Sequence, residues 1–329
     1  MISPEFLEKL WYDRHPLTTA LRPVSWLYGG FIRLRNIAYR TGVLPRQNVD
    51  VPVIIVGNIT VGGTGKTPLI IWLSALLREQ GHRPGIISRG YGGKSTKWPQ
   101  QVRADSNPYL VGDEPVLLAQ RTGCPVAVSP NRYIAACELL KHTDCDVLLC
   151  DDGLQHLALD RDLEIVVIDG DRRFGNGYCL PAGPLREPVS RLASIDMIVA
   201  NSKAGRNEYL MQYEYEQPRS LLDNSSITME SFRNTPVHVV TGIGNPLRFY
   251  SWLRSQDIQM IKHEFPDHHP FSAADLQFDD NYPVVMTEKD AVKCRNFAED
   301  YMWYIPINAR FTDAFHYRLL NLLKDLFNG

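Results

Sequence analysis

What most constrains this chain is a β-branched apolar run that breaks into glycine. Val51 to Val56, VPVIIV, is short and apolar and predicts a buried strand. Gly57 to Pro68 follows as GNITVGGTGKTP, and the apolar pattern from Leu69 through Leu77 predicts a helix. A strand, a glycine-rich loop and a helix start bring free backbone N–H groups around anionic oxygens. Gly62, Gly63 and Gly65, with Thr64 among them, allow the close approach that side chains would obstruct. Lys66 can carry a point charge to terminal phosphates, and Thr67 can place a hydroxyl on Mg²⁺. The strict G-x-x-x-x-G-K-[ST] pattern would put glycine at position 60, where this chain has Thr60, so a structural glycine turn stays an alternative.

A second segment offers what such a loop needs. Val147 to Cys150 is an apolar strand candidate that runs into Asp151 and Asp152. In a parallel α/β fold the carboxyl end of a strand opens onto the ligand crevice. A carboxylate there can hold Mg²⁺ directly or through water and complement Thr67. Leu163 to Ile168 predicts another strand, ending at Asp169, whose role stays open between structure and function. Asp113, in GDEP before an apolar helix, reads as an N-cap carboxylate. Asp267, His268 and His269 interrupt the segment FPDHHPF. A carboxylate and a histidine brought together from these places could orient an alcohol and accept its proton during in-line phosphoryl transfer. TEKD at 287–290 lacks the T-K-x-D order that reads guanine, so adenine is the expected base.

Composition bounds the alternatives. The chain has 329 residues, enough for about two domains. Its 35 Lys plus Arg against 37 Asp plus Glu argue against a nucleic-acid partner. The six cysteines contain no C-x-x-C pair, which predicts buried thiols in a reducing compartment rather than a disulfide framework or a zinc site. No apolar stretch reaches the roughly 18 residues that span a bilayer, and the first residues lack the ordered regions of a signal peptide.

Charge is distributed unevenly, however. Between Arg14 and Asn48 there is no acidic residue, while Arg14, Arg22, Arg33, Arg35, Arg40 and Arg46 all occur. A helix over 24–40 gathers Val24, Trp26, Leu27, Phe31, Leu34, Ile37 and Ala38 on one face, with Arg33, Asn36 and Arg40 mostly opposite. Such a face either docks on the protein's own core or lies in the headgroup region of an anionic membrane. Toward the other end, Val237–Thr241, Tyr282–Met286 and Trp303–Ile305 read as strands, with helical spacing over Leu247–Leu253.

The expected fold is therefore α/β: a P-loop-containing parallel-sheet domain with a smaller second α/β domain. The expected boundaries are 1–225 for the first domain with its N-terminal membrane-associating segment, 226–310 for the smaller domain with linker strands, and 311–329 for a C-terminal helix free to return to the first domain.

The motifs together closely resemble the tetraacyldisaccharide 4'-kinase family, the lipid A 4'-kinases of lipopolysaccharide synthesis. The resemblance spans SWLYGGFIRLRNIAYRTG at 25–42, GNITVGGTGKTP at 57, SRGYG at 88, GDEP at 112, DDGLQH at 151, DGDRRFGNGYCLPAGPLREP at 169, GIGNP at 242, FPDHHPF at 265 and TEKDAVKC at 287. Thr60 belongs to this family's version of the loop. The resemblance implies ATP- and Mg²⁺-dependent phosphorylation of the 4'-hydroxyl of an acylated disaccharide 1-phosphate, by a peripheral protein at the cytoplasmic face of the inner membrane. It gives Lys66 and Thr67 the phosphate and Mg²⁺ roles and matches Asp151 and Asp152 to the metal-associated pair. Asp113 matches the alcohol-activating carboxylate, and His268 is the expected partner, with His269 next to it as the alternative. Arg172, Arg173 and Arg186 are candidate phosphate or headgroup contacts, or else supports of the structure. No obligate protein partner is expected. A P-loop ATPase or metallochaperone, and a nucleotide-binding membrane adaptor, are the other readings of the same residues.

Overall fold

The computed structural model describes residues 4–13 and 15–328. Arg14, one of the six arginines of the basic segment, lies outside the described residues. The chain is an α/β protein built on two sheets. Strands β1 (Val53–Gly57), β2 (Pro84–Ser88), β3 (Gln100–Val102), β4 (Val126–Val128), β5 (Val147–Asp151), β6 (Leu163–Asp169), β7 (Met197–Asn201) and β8 (Tyr209–Tyr215) belong to the larger sheet. The smaller sheet holds β9 (Arg219–Ser220), β10 (Val237–Thr241), β11 (Met260–Glu264), β12 (Val284–Thr287) and β13 (Met302–Ile305), after which β14 (Ile307–Phe311) rejoins the first. The helices are α1 (Pro4–Tyr12), α2 (Pro16–Arg40), α3 (Lys66–Glu79), α4 (Pro108–Val111), α5 (Asp113–Thr122), α6 (Arg132–His142), α7 (Leu247–Ser255), α8 (Glu288–Cys294) and α9 (Asp313–Asn328).

The nine-stranded sheet runs β14-β8-β7-β6-β1-β5-β2-β4-β3. Its interior pairs are parallel, and only the edge strands β14 and β3 are antiparallel. Helices on both faces explain why β1, β2, β5 and β6 are buried along their whole length rather than alternating. One face packs Leu69, Leu73, Leu77 and Leu118 with Phe315 and Leu319 of α9. The other face packs Ile55, Leu148 and Ile168 against Ala135 and Leu139 of α6.

The second sheet, β11-β10-β12-β13-β9, is parallel except at β9. The chain crosses into it between Tyr215 and Arg219 and leaves between Ile305 and Ile307, so the smaller sheet already includes residues ahead of the expected boundary at 226. Pro218 stands immediately before β9 and Pro306 immediately after β13, strand-end positions that tolerate a residue unable to donate to a ladder. The amide of Glu216 donates to Pro306 O at 3.0 Å, tying the crossings together.

Helix α2 is longer than expected, and it passes Pro23 and Gly29–Gly30 without a break. Its apolar face does not dock on the core: Trp26 is 66% exposed, Leu27 76% and Phe31 63%. Other side chains hold it to the body by hydrogen bonds. Ser25 Oγ donates to the carbonyls of Cys179 and Leu180, Tyr28 to Arg186 O at 3.1 Å, Arg35 to Gln155 O at 3.1 Å, and Asn36 to Glu187 at 3.1 Å.

Candidate active site

The parallel register decides where the two phosphate-related segments meet. Val56 of β1 lies beside Asp151 of β5, so the glycine loop and the aspartate pair leave neighbouring strand ends. Gly65 ends the loop at φ 89°, and a Cβ there would collide with Tyr213 Oη, so glycine is required for both reasons. Lys66 opens α3, whose first N–H groups face the loop. Its Nζ lies 3.4 Å from Asp152 Oδ1 and 3.3 Å from Asn58 Oδ1.

The two aspartates differ in proton affinity for physical reasons. Burial pushes the Asp151 carboxyl up to about 7, the charge of Glu114 adds to this, and Lys66 opposes it. Burial would raise Asp152 too, but Lys66 and then Arg186 outweigh it and hold its carboxyl at about 2. Arg186 grips both Asp152 oxygens at 3.1 and 3.0 Å. Asp152 adopts φ 50°, a left-handed conformation that costs about 1–3 kcal/mol and is kept only where surroundings enforce it.

These residues fit a divalent cation. Ser88 donates to Asp151 Oδ2 at 3.2 Å, but Oδ1 is buried without a partner. A buried carboxylate with one free oxygen and a raised proton affinity is stabilised by a cation in place of a proton. Among the described residues no group of three or more His, Cys, Asp or Glu side chains could hold a metal by itself. Mg²⁺ takes one or two carboxylates plus substrate phosphates, a set to which Asp151 and Asp152 can contribute. Thr67, Asp151 and Asp152 line one cavity of about 420 Å³ together with Gly62, Gly63, Thr64, Gly65 and Lys66.

The far wall of that cavity comes from the second domain. Ile243, Gly244 and Asn245 of the GIGNP loop line it, as do His268 and Lys289. His268 Nδ1 lies 3.0 Å from both Asp113 oxygens, so two segments of distant sequence form one dyad. Asp113 is 4% exposed and lies behind the imidazole, which lines the cavity. Gly112, not Asp113, is the cap of α5, and Asp113 Oδ1 accepts from Glu114 N at 2.9 Å within the first turn. Burial works against its charge, but Lys289 and the His268 hydrogen bond outweigh that and hold the Asp113 carboxyl at about 2. Burial also works against a proton on His268, but the bond to Asp113 outweighs it and raises the imidazole above its ordinary range. His269 turns away and pairs with Asp275 at 3.5 Å.

Of the other expected residues, Asp169 and Arg186 line the cavity, whereas Thr60, Arg172 and Arg173 are not among its lining residues. Thr60, where the strict pattern has glycine, is buried and bridges through its backbone to Leu185. Arg172 pairs with Glu8 and stacks over Tyr12. Arg173 makes a bidentate pair with Glu208 at 2.8 and 2.7 Å. Asp169 is bound by Arg248 at 2.6 Å, so it joins the first sheet to α7 of the second domain. Sequence reasoning passed over Ser88, Glu114 and Lys289, although each stands inside a motif singled out for its other members.

Comparison with known proteins places these features in one group. The LpxK family profile, described as tetraacyldisaccharide-1-P 4'-kinase, matches residues 17–324. A tetraacyldisaccharide 4'-kinase of Nitrosococcus oceani is 50% identical over 316 residues, covering 96% of this chain and 94% of that protein. One from Alkalilimnicola ehrlichii is 51% identical, covering 95% of each. The crystal structure of LpxK from Aquifex aeolicus in complex with ATP superposes with a TM-score of 0.80 at 27% identity, over 94% of this chain and 99% of that one.

Proposed function

Because this chain belongs to the LpxK family of tetraacyldisaccharide-1-P 4'-kinases, we propose that it transfers the γ-phosphoryl group of ATP to the 4'-hydroxyl of a tetraacyldisaccharide 1-phosphate, a lipid A precursor. The observation that carries this reading is the Asp113–His268 dyad facing the phosphate loop across one cavity. The dyad supplies a base for an incoming hydroxyl, and because a nucleotide-driven ATPase would use such a base on water, transfer of label to the lipid is what separates the two readings.

Each side chain then has a task. The loop amides and Lys66 bind the β- and γ-phosphates. Thr67 and Asp151 would hold Mg²⁺, with Asp152 beside them; when bound, the ion neutralises charge on the phosphate oxygens. Arg186 and Lys66 keep Asp152 ionised. Asp113 fixes His268 through Nδ1 and leaves Nε2, 3.8 Å from Asp267 Oδ2, to take the proton of the attacking hydroxyl, as a carboxylate does behind a general-base imidazole. The adenine recognition expected from the sequence agrees with the ATP bound by the Aquifex relative.

The acylated substrate gives a reason for the exposed face of α2. No described helix is long and apolar enough to cross a membrane. Trp26, Leu27, Phe31, Leu34 and Ile37 instead form an exposed apolar strip beside Arg33 and Arg40, suited to an anionic lipid surface. The protein sits peripherally at the cytoplasmic face of the inner membrane, where it meets its lipid substrate. Deleting residues 1–42 should abolish most co-sedimentation with anionic vesicles, and unchanged sedimentation would refute the attachment.

The activity is tested by incubating the protein with γ-labelled ATP, Mg²⁺ and defined acylated and deacylated disaccharide 1-phosphates. Label is expected on the 4'-oxygen of the acylated acceptor. ATP hydrolysis with no labelled lipid would favour the ATPase, and binding without turnover the adaptor.

A further inference from the structure

The TEKDAVKC motif at 287–294 has no task in the mechanism above, yet it forms α8, which packs against the dyad. Its start is pinned firmly. Thr287 Oγ1 donates to Asp290 Oδ2 at 2.7 Å, and the same oxygen accepts from Gly242 N at 3.0 Å. Gly242 O in turn accepts from the His268 amide at 3.3 Å. Helix α8, the GIGNP loop and the histidine loop are therefore one assembly within the second domain.

From this assembly Lys289 reaches across to the first domain. Its Nζ lies 2.9 Å from Glu114 Oε1 and 3.4 Å from Asp267 Oδ1. Glu114 follows Asp113 in α5, and Asp267 precedes His268. One turn along α8, Lys293 Nζ lies 2.8 Å from Asp290 and 4.0 Å from Asp113 Oδ2. We propose that Lys289 is a positioning residue for acceptor activation: by bridging Glu114 and Asp267 it holds in register the two halves of a dyad that two domains contribute.

Three observations support this role over an ordinary surface ion pair. The Lys289 side chain is only 19% exposed and lines the cavity beside His268. His268 sits at φ 60°, a conformation that needs its surroundings to enforce it. The bridge spans the domain gap at the point where the proton must move, and a misplacement of about 1 Å there can cost about 10²-fold in rate.

The same ammonium sets the protonation of the pair. The groups facing His268 are Asp113 from α5, Asp267 from its own loop, Lys289 from α8 and the Tyr91 ring, which meets it edge-on at 5.1 Å. Lys289 disfavours a proton on the imidazole, whereas Asp113 and Asp267 favour one. A base must be neutral, so activity falls as pH drops through the His268 pKa. Removing the Lys289 charge moves that acid limb to higher pH, and removing the Asp267 charge moves it to lower pH.

The inference rests on the kinase reading, so the test begins with label transfer by the unaltered protein. Lys289→Met should lower kcat by about 10²-fold, leave ATP affinity unchanged and shift the acid limb upward. Lys289→Arg, which keeps the charge, should restore most of kcat. Asp267→Asn, on the exposed loop, breaks one arm of the bridge and serves where the methionine variant folds poorly. It should lower kcat and shift the limb downward. An unchanged kcat in Lys289→Met, a limb that moves alike in both variants, or a loss of ATP affinity matching the loss in kcat would overturn the proposal. The last of these would place Lys289 on the nucleotide. Absence of label transfer by the unaltered protein would instead remove the kinase reading, and this inference with it.

Discussion

Asp113→Ala should lower kcat for phosphoryl transfer by about 10³-fold, within the range of a general-base contribution, while ATP affinity stays within about twofold. In free energy the loss in kcat is about 4 kcal/mol of transition-state stabilisation. The carboxylate lies behind His268, with both oxygens 3.0 Å from Nδ1, and does not line the nucleotide cavity. Its removal therefore frees the imidazole to take the wrong tautomer or orientation without touching the phosphate loop. It also strips the counter-charge from His268, so the acid limb of the pH profile should move down as the imidazole loses its raised proton affinity. Steady-state kinetics over pH, beside equilibrium binding of ATP, check both statements. Equal losses in kcat and ATP affinity would mean that Asp113 serves the fold rather than the reaction.

The second large effect concerns the opposite wall. Lys66→Ala should reduce kcat/KM for ATP by about 10³-fold, with part of the loss in binding, since on the proposed reading the ammonium would meet ground-state phosphates as well as the transferring group. A further consequence distinguishes this site from a generic one. Lys66 is the main charge holding Asp152 low and the main one opposing the proton on Asp151. Without it both carboxylates attract cations, protons and Mg²⁺ alike, more strongly, so the Mg²⁺ concentration needed for half-maximal activity should fall, and fall most at the higher pH, where protons compete least. Titration of activity against Mg²⁺ at two pH values reads this directly. An unaltered Mg²⁺ requirement would show that the lysine and the aspartates do not act on one ion.

Much of this site could be read from the sequence because its chemistry is local. Gly62 to Gly65 must follow a strand, Lys66 and Thr67 must open a helix, and Asp151 must end a strand, so a few residues carry the signal. The register that joins them, Val56 beside Asp151, follows from parallel pairing of two buried apolar strands. What stayed hidden depends on contacts between distant segments. Nothing near Arg173 announces Glu208, its bidentate partner. The burial of Asp113 behind His268 arises only once the second domain is docked. The pattern of α2 revealed its apolar face but not that this face would be left outside, because the helix is anchored by hydrogen bonds from Ser25, Tyr28, Arg35 and Asn36 rather than by that face. Pro218 and Pro306 offered a signal for the domain crossings that helix and strand periodicity could not supply.

The central claim is that a single Mg²⁺–ATP lies between the phosphate loop and the aspartate pair, with its γ-phosphate toward His268. The most direct test is an experimental structure of this protein with Mg²⁺ and a non-hydrolysable ATP analogue. The expected result puts the terminal phosphate against Lys66, the ion on Thr67 and Asp151, and His268 on the open side of the γ-phosphorus. A nucleotide bound away from Lys66, or an ion that contacts neither aspartate, would contradict the account.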